Sequence, residues 1–219
     1  MHAELRLAQD LHEGRKRVAR LMRLTGVAGL CHRTKRRGRP AVAVHDDLVQ
    51  RQFLTDRPDR LWCTDITEHP TGTGKVYCCA VLDVYTRAIV GWSIADHMRT
   101  ELVVDALQMA TWRRRPEPGV ILHSDRGSQY TSWVFGHRLR EAGLLGSMGR
   151  VASSVDNTMM ESFWNSMQRE LLDTRSWTTH GELASAIFEW IEAWYNPRRR
   201  HSYCKMLSPV DYETAHAAA

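Results

Sequence analysis

The chain has 219 residues, 43% of them hydrophobic and 25% charged, with a formal net charge of +5 at pH 7. That composition is ordinary for one globular domain plus an appendage, or for two small domains, and it excludes collagen-like, disordered and coiled-coil classes. Mean hydropathy is −0.43, the longest apolar run is Val76–Leu82, and Met-His-Ala-Glu-Leu-Arg opens the chain; neither a membrane span nor a secretory signal is expected.

Charge divides the chain before any pattern does. Residues 1–40 hold 11 Lys and Arg against 3 Asp and Glu, a net of +8, whereas residues 41–219 hold 19 against 22. A basic arm on a slightly acidic body points to a polyanionic partner, and nucleic acid is the common one. Within the arm, Val18, Leu21, Met22 and Thr25 recur at helical spacing while Arg17, Arg20 and Arg23 fall off that stripe. This predicts a short basic amphipathic helix stopped by Gly26 and Gly29. Residues 32–40 have no apolar period and read as a basic linker. The expected boundary lies near residue 50, giving an arm over 1–50 and a core over 51–219.

Strand patterns begin at Arg60. Leu61–Thr67, Lys75–Tyr85 and Ala88–Ala95 are predicted strands, and the Gly72-Thr73-Gly74 and Thr86-Arg87 breaks between them suit antiparallel hairpins. A helix over Thr100–Arg115 places Val103, Ala106, Leu107 and Ala110 on one face before Pro116 and Pro118 end it. Val120–His123 is a fourth strand, Trp133–Ala142 a helix, and Gly146–Gly149 a fifth strand. Two helices are expected to close the chain. One carries the stripe Met160, Phe163, Trp164, Met167 and Leu171. The other opens at Thr179-His180-Gly181-Glu182, a capping-box spacing, and is expected to bury Leu183, Ile187, Trp190, Ile191 and Trp194. The order predicts an α/β fold: a mixed five-stranded sheet of three antiparallel strands followed by αβαβ crossovers, with helices on its faces.

Three acidic residues share a geometric meaning. Asp65 lies inside the first strand, Asp125 closes the fourth, and Glu161 lies on the helix after the fifth. A carboxylate in a half-buried strand is costly unless its charge is met, and a cation is one way to meet it. If strands one and four are neighbours, Asp65 and Asp125 converge at one end of the sheet, and their all-oxygen character suits Mg²⁺ or Mn²⁺. Asn157, Glu161, Asn165 and Gln168 form a polar stripe beside the apolar one. Taken alone, a strand Asp is more often a satisfied turn or cap residue and a helix Glu a solvated one.

The flanking strings are more specific. Trp62-x-x-Asp65-Ile66-Thr67, His123-Ser124-Asp125-x-Gly127-x-Gln129-Tyr130 and Asp156-Asn157-x-x-x-Glu161-Ser162-Phe163 resemble the three catalytic blocks of the DDE transposases, and 35 residues separate Asp125 from Glu161. Tyr195-Asn196-Pro197-Arg198-Arg199-Arg200-His201-Ser202, followed by Leu207-Ser208-Pro209, resembles the C-terminal signature of the IS-three-type insertion-sequence transposases, the OrfB product. The resemblance implies an RNase-H-like core related to retroviral integrases and a bacterial, cytoplasmic, nucleoid-associated enzyme that cleaves insertion-element ends and transfers the strands. It implies that Asp65, Asp125 and Glu161 bind two Mg²⁺ ions, with Mn²⁺ as a substitute, and that His123, Ser124, Gln129 and Asn157 support them or position DNA.

Double-stranded DNA, an OrfA-type partner or fusion segment and further copies of the chain on DNA are the implied partners, and no membrane is. Residues expected to meet DNA are Arg15, Lys16, Arg17, Arg20 and Arg23, then Lys35, Arg36 and Arg37, then Gln168 and Arg169, then Arg198, Arg199 and Arg200. Gln168 departs from the pattern, since many relatives carry Lys or Arg there; Tyr203-Cys204-Lys205 replaces a usual small-Leu-Gly turn. A hydrolysing RNase-H-type nuclease and a non-catalytic DNA-binding remnant of a mobile element are the alternatives.

Other chemistries find little support. The cysteines at 31, 63, 78, 79 and 204 form no C-x-x-C pair and are expected as reduced, mostly buried thiols. The eleven histidines show no zinc spacing, and G-x-S-x-G is absent. Most of the eight tryptophans are expected in the core, with Trp133 alone weighed as a base-stacking residue.

Overall fold

A computed structural model describes residues 1–27, 44–50, 52–149 and 158–217. Strands β1 (Leu61–Thr71) and β2 (Gly74–Asp83) form an antiparallel hairpin whose two-residue turn, Gly72-Thr73, lies between the paired Thr71 and Gly74. Strand β3 (Ile89–Ala95) lies antiparallel to β2, with a register shift at Val81/Leu82. Strands β4 (Ile121–Ser124) and β5 (Leu145–Met148) return parallel to β1 and to β4 respectively, so the sheet order is β3-β2-β1-β4-β5.

Helices cover both faces. In chain order, α1 (His2–Leu7) and α2 (Arg15–Leu24) belong to the arm; α3 (Thr100–Arg114) and α4 (Trp133–Glu141) are the crossovers. The chain closes with α5 (Thr158–Glu170), α6 (His180–Glu189) and α7 (Pro209–Ala217). Met160, Phe163 and Met167 of α5 and Leu183 and Ile187 of α6 pack with Cys78, Ala80 and Leu82 on one face. Leu102, Val103, Ala106 and Leu107 of α3, with Phe135 and Leu139 of α4, pack with Cys79, Val81 and Leu122 on the other. Covered on both faces, β2 reads as an unbroken apolar run instead of an alternating one. At Gly91 a Cβ would lie 2.6 Å from the Ala110 backbone nitrogen, so a glycine is required for α3 to sit directly on β3.

Three expectations are corrected. The chain closes with three helices, not two. The signal for α7 lay in Ser208-Pro209-Val210-Asp211: Ser208 Oγ donates to Asp211 Oδ2 at 2.7 Å and accepts from Asp211 N at 3.1 Å, with Pro209 as the first helical residue. The helix expected to run on to Trp194 instead widens into a π turn over Trp190–Tyr195, where Asn196 N bonds to Ile191 O. The extra residue per turn rotates later side chains; Tyr195 enters the core at 2% exposure and Trp194 leaves it at 45%. In α2 only Val18 of the expected inner stripe is buried; Leu21 is 44% exposed, Met22 is half-buried and Thr25 is exposed. Gly26 ends that helix with φ +71, while Gly29 lies outside the described residues.

The stretch before β1 packs along β5. Leu48 N donates to Ser147 Oγ at 3.0 Å, Met148 N donates to Asp46 O at 3.3 Å, and Val49 joins the core. A second tie runs from the arm to the C-terminal loop, where Arg200 Nε donates to Glu4 Oε2 at 2.6 Å.

Candidate active site

Parallel pairing of β1 with β4 aligns Cys63 with His123. Two residues further along each chain stand Asp65 and Asp125, at the same end of adjacent strands. Asp65 is still inside β1, which continues to Thr71 beside β2, whereas β4 stops at Ser124. Beyond that point the β4 side of β1 has no strand neighbour among the described residues, and such a carboxyl end of a parallel pair is where α/β sheets place ligands.

Asp65 is buried at 8% exposure. Its charge is met in part by Trp164 of α5, whose Nε1 donates to Asp65 Oδ2 at 3.0 Å. Asp125 is exposed, and its Oδ1 accepts from Gly127 N at 2.9 Å, an Asx turn that starts the loop towards α4. Under the two acids, the hydroxyl of buried Tyr130 lies 3.2 Å from Thr64 Oγ1 and 3.8 Å from Cys79 Sγ. Burial holds the Tyr130 hydroxyl well above the usual tyrosine range, Cys79 and Asp65 add to that, the Thr64 hydrogen bond opposes it, and Asp125 raises it further. Burial likewise pushes the Cys79 thiol up to about 12, with hydrogen bonds from Thr64 and Tyr130 opposing and Asp65 and Asp125 reinforcing. Both acids are thus felt by one buried phenol and one buried thiol, which remain protonated at neutral pH and are not nucleophiles.

Glu161 lies in the first turn of α5 and is exposed. Three residues separate it from Trp164, so the two share one side of the helix. Among the described residues no three His, Cys, Asp or Glu side chains stand together as the ligands of one ion. The arrangement is a two-carboxylate corner with a third acid one turn from the side chain that pins the helix to it. That donor set fits a hard divalent ion, since Mg²⁺ is usually held by one or two carboxylates, several waters and substrate phosphates.

The other expected residues have definite places. His123 is buried, with Nδ1 3.1 Å from Ser147 Oγ on β5 and its ring edge-on to Phe53 at 5.3 Å. Ser124 Oγ donates to Asp125 O at 3.0 Å, and Gln129 Nε2 donates to Met98 O at 3.0 Å, so both brace the loop that carries Asp125. Asn157, Lys35, Arg36 and Arg37 lie outside the described residues. Arg15, Lys16, Arg20 and Arg23 are exposed along α2, and Arg17 is exposed with Nη1 3.3 Å from Glu13. Gln168 Nε2 donates to Asp173 Oδ1 at 2.5 Å and Arg169 Nε to Asn165 O at 2.9 Å. Trp133 is 74% exposed, as are Trp112 at 73% and Trp194 at 45%. Cys63, Cys78, Cys79 and Cys204 are buried and unpaired, while Cys31 lies outside the described residues.

The arginine triplet divides. Arg198 is exposed. Arg199 Nε donates to both Glu170 oxygens, at 2.9 and 3.1 Å, and Arg200 binds Glu4 and the carbonyl of Met206. Asn196, just before it, grips the edge of the sheet: Ile89 N donates to its Oδ1 and its Nδ2 donates to Ile89 O, each at 2.9 Å. Sequence reasoning missed this clasp and missed Trp164 as a partner of Asp65. Its only signal for the latter was a tryptophan one turn beyond Glu161.

The integrase core domain family matches residues 55–154, and a second integrase core domain family matches residues 143–209. The transposase of insertion sequence element IS629 from Shigella sonnei is 40% identical over 216 residues, spanning 97% of this chain and 72% of that protein. Transposase InsF of insertion sequence IS3A from Escherichia coli K12 is 37% identical over 175 residues, 80% of this chain and 61% of that protein. The solved HTLV-2 integrase catalytic core domain in complex with magnesium is 14% identical and superimposes with a TM-score of 0.52, over 72% of this chain and 98% of that one. At that identity the likeness speaks for the fold, which is the RNase-H-like fold of integrase cores. Over nearly its whole length, then, the chain belongs to the insertion-sequence transposases, DDE-type enzymes built on an integrase core domain.

Proposed function

We propose that the enzyme cuts DNA at insertion-element ends and joins them to target DNA by a two-metal mechanism, with Asp65, Asp125 and Glu161 holding two Mg²⁺ ions, or Mn²⁺. The observation that carries this reading is the meeting of Asp65 and Asp125 at one end of adjacent parallel strands, with α5 tied to Asp65 through Trp164. When bound, such ions lower the cost of deprotonating an attacking oxygen and stabilise a leaving 3′-oxygen. The chain's own residues do the rest. Asp65, with one oxygen held by the Trp164 indole, keeps its orientation without water. The Gly127 amide fixes Asp125 while leaving its carboxylate exposed to a phosphate. Buried, protonated Cys79 and Tyr130 keep protein nucleophiles out of the corner, consistent with attack by water first and then by a DNA 3′-hydroxyl.

DNA is held by the exposed cations of α2 and by Arg198, and Gln168 and Arg169 lie on the helix that carries Glu161. Arg199 and Arg200 are assigned to the C-terminal clasp instead. His123, Ser124 and Gln129 brace the Asp125 loop, with Asn157 in the same supporting role. Residues 1–50 act as the DNA-holding arm and 51–219 as the catalytic core. Assembly of several copies on DNA and an OrfA-type partner complete the reading.

The test is incubation of the full chain with element-end DNA, a target plasmid and Mg²⁺, with and without an OrfA-type protein. Joined products in either mixture support the transposase reading. Nicked but never joined DNA in both would favour the hydrolytic nuclease, and bound but intact DNA in both the non-catalytic remnant.

A further inference from the structure

We propose that Trp164 is a positioning residue for divalent-ion binding, holding the Asp65 carboxylate and the Glu161 helix in a common frame. The proposal rests on the reading above in which Asp65 is an ion ligand. Its physical basis is the 3.0 Å hydrogen bond from Trp164 Nε1 to Asp65 Oδ2, which joins residues 99 positions apart. Asp65 is buried, so bulk water does little to orient its carboxylate. The indole is itself fixed: its ring packs against Phe163 at 4.6 Å, and Phe163 packs against Trp190 and Tyr195 at 5.8 and 5.0 Å in the core. Core packing therefore sets the direction from which the carboxylate is held.

The chemistry of the donor matters. An indole N–H donates only; it neither ligates a cation nor exchanges a proton across the working pH range. It therefore restrains one carboxylate oxygen without competing for an ion. Because Glu161 precedes Trp164 by three residues, the same bond fixes how far α5 stands along β1 and so where the third acid is presented. Trp190 offers a natural contrast. It is buried in the same core, yet its Nε1 has no hydrogen-bond partner among the described residues.

The experiment is a Mn²⁺ titration of the full chain by calorimetry, without DNA, with circular dichroism and thermal melting as checks of folding. Asp65→Asn is expected to abolish measurable binding. Trp164→Phe removes the N–H and is expected to weaken Mn²⁺ about tenfold, equivalent to about 1.4 kcal/mol. Trp190→Phe removes an unpartnered N–H with the same change of volume and is expected to bind Mn²⁺ within twofold of the parent. If phenylalanine is not accommodated at 164, Trp164→Met removes the same donor with a side chain that adapts to the gap, and the same tenfold loss is expected. A folded Trp164 variant binding within twofold of the parent, or equal weakening in Trp190→Phe, overturns the positioning role. Asp65→Asn that binds Mn²⁺ normally overturns the ligand reading itself.

Discussion

The carboxylate corner and the C-terminal clasp use the same kinds of residue to opposite ends. In the clasp, charge is consumed: Glu170 accepts two hydrogen bonds from Arg199 and one from the Trp194 indole, Glu4 takes one from Arg200, and Asn196 spends its amide on the backbone of Ile89. Arg114 behaves alike, bridging Asp59 and Glu213 to pin α7 to α3. In the corner, Asp125 and Glu161 are exposed, and buried Asp65 accepts a hydrogen bond from the donor-only Trp164 indole. Counting charged residues does not separate the two regions. The separation lies in exposure: Glu170 and Glu4 are folded against arginines, whereas Asp125 and Glu161 face solvent.

The sharpest way to break that comparison is to neutralise one residue in each region. Asp65→Asn, Asp125→Asn or Glu161→Gln keeps the volume and removes ligand charge, so strand cleavage and joining should fall by about 10³-fold or more while the fold persists. Arg199→Ala should do the reverse: about 1–3 kcal/mol of stability is lost because half-buried Glu170 keeps only the Trp194 indole and no opposite charge from Arg199, with joining per folded molecule preserved. Denaturant melts paired with a gel-based joining assay separate these outcomes.

The next largest effect concerns the two basic regions. Deleting residues 1–40 removes 11 Lys and Arg, among them Arg15, Lys16, Arg20 and Arg23 exposed along α2, and the log–log salt slope of DNA binding should drop by roughly 3 to 4 if those four alone each meet a phosphate. Arg200→Ala, which breaks a pair with Glu4 inside the molecule, should leave that slope unchanged. Equal changes from both would erase the distinction between available and consumed cations.

Within the clasp, Asn196→Ala deletes two hydrogen bonds to an edge-strand residue that is itself buried. A loss of about 2–3 kcal/mol is expected in urea unfolding, because Ile89 then keeps a donor and an acceptor without protein partners. The smallest effect is at Lys205, a non-glycine residue that adopts φ +53. Lys205→Gly should stabilise the chain by about 0.5–1 kcal/mol, since only glycine takes the left-handed region at no steric cost. A rise in Tm of a few degrees would register it.

Much of the fold was legible because its signals are local. Period-two and unbroken apolar runs marked all five strands, the Gly72-Thr73 break marked the first hairpin, and the stripe of Met160, Phe163 and Met167 marked the inner face of α5. The motif strings likewise carried the family resemblance without any three-dimensional information. What escaped was non-local, or needed a one-residue change of helical register. The capping box of α7 was written at Ser208–Asp211 but lay in a short segment of weak amphipathicity. The π turn exchanged Trp194 for Tyr195 in the core, an outcome that regular 3.6-residue periodicity cannot express.

On its own, then, the sequence determined the succession of strands and helices along the chain, the positions of the three acids in it and the family to which they belong, because periodicity and motif spacing are properties of neighbours in the chain; that β4 lies beside β1 came from the structure. Only the tertiary structure decided that Arg198 is exposed while Arg199 and Arg200 are bound within the molecule, and that Trp164 reaches across 99 positions to Asp65. Those facts depend on which charges and donors folding brings within about 3 Å of one another, and at that range a partner settles whether a side chain is structural or available.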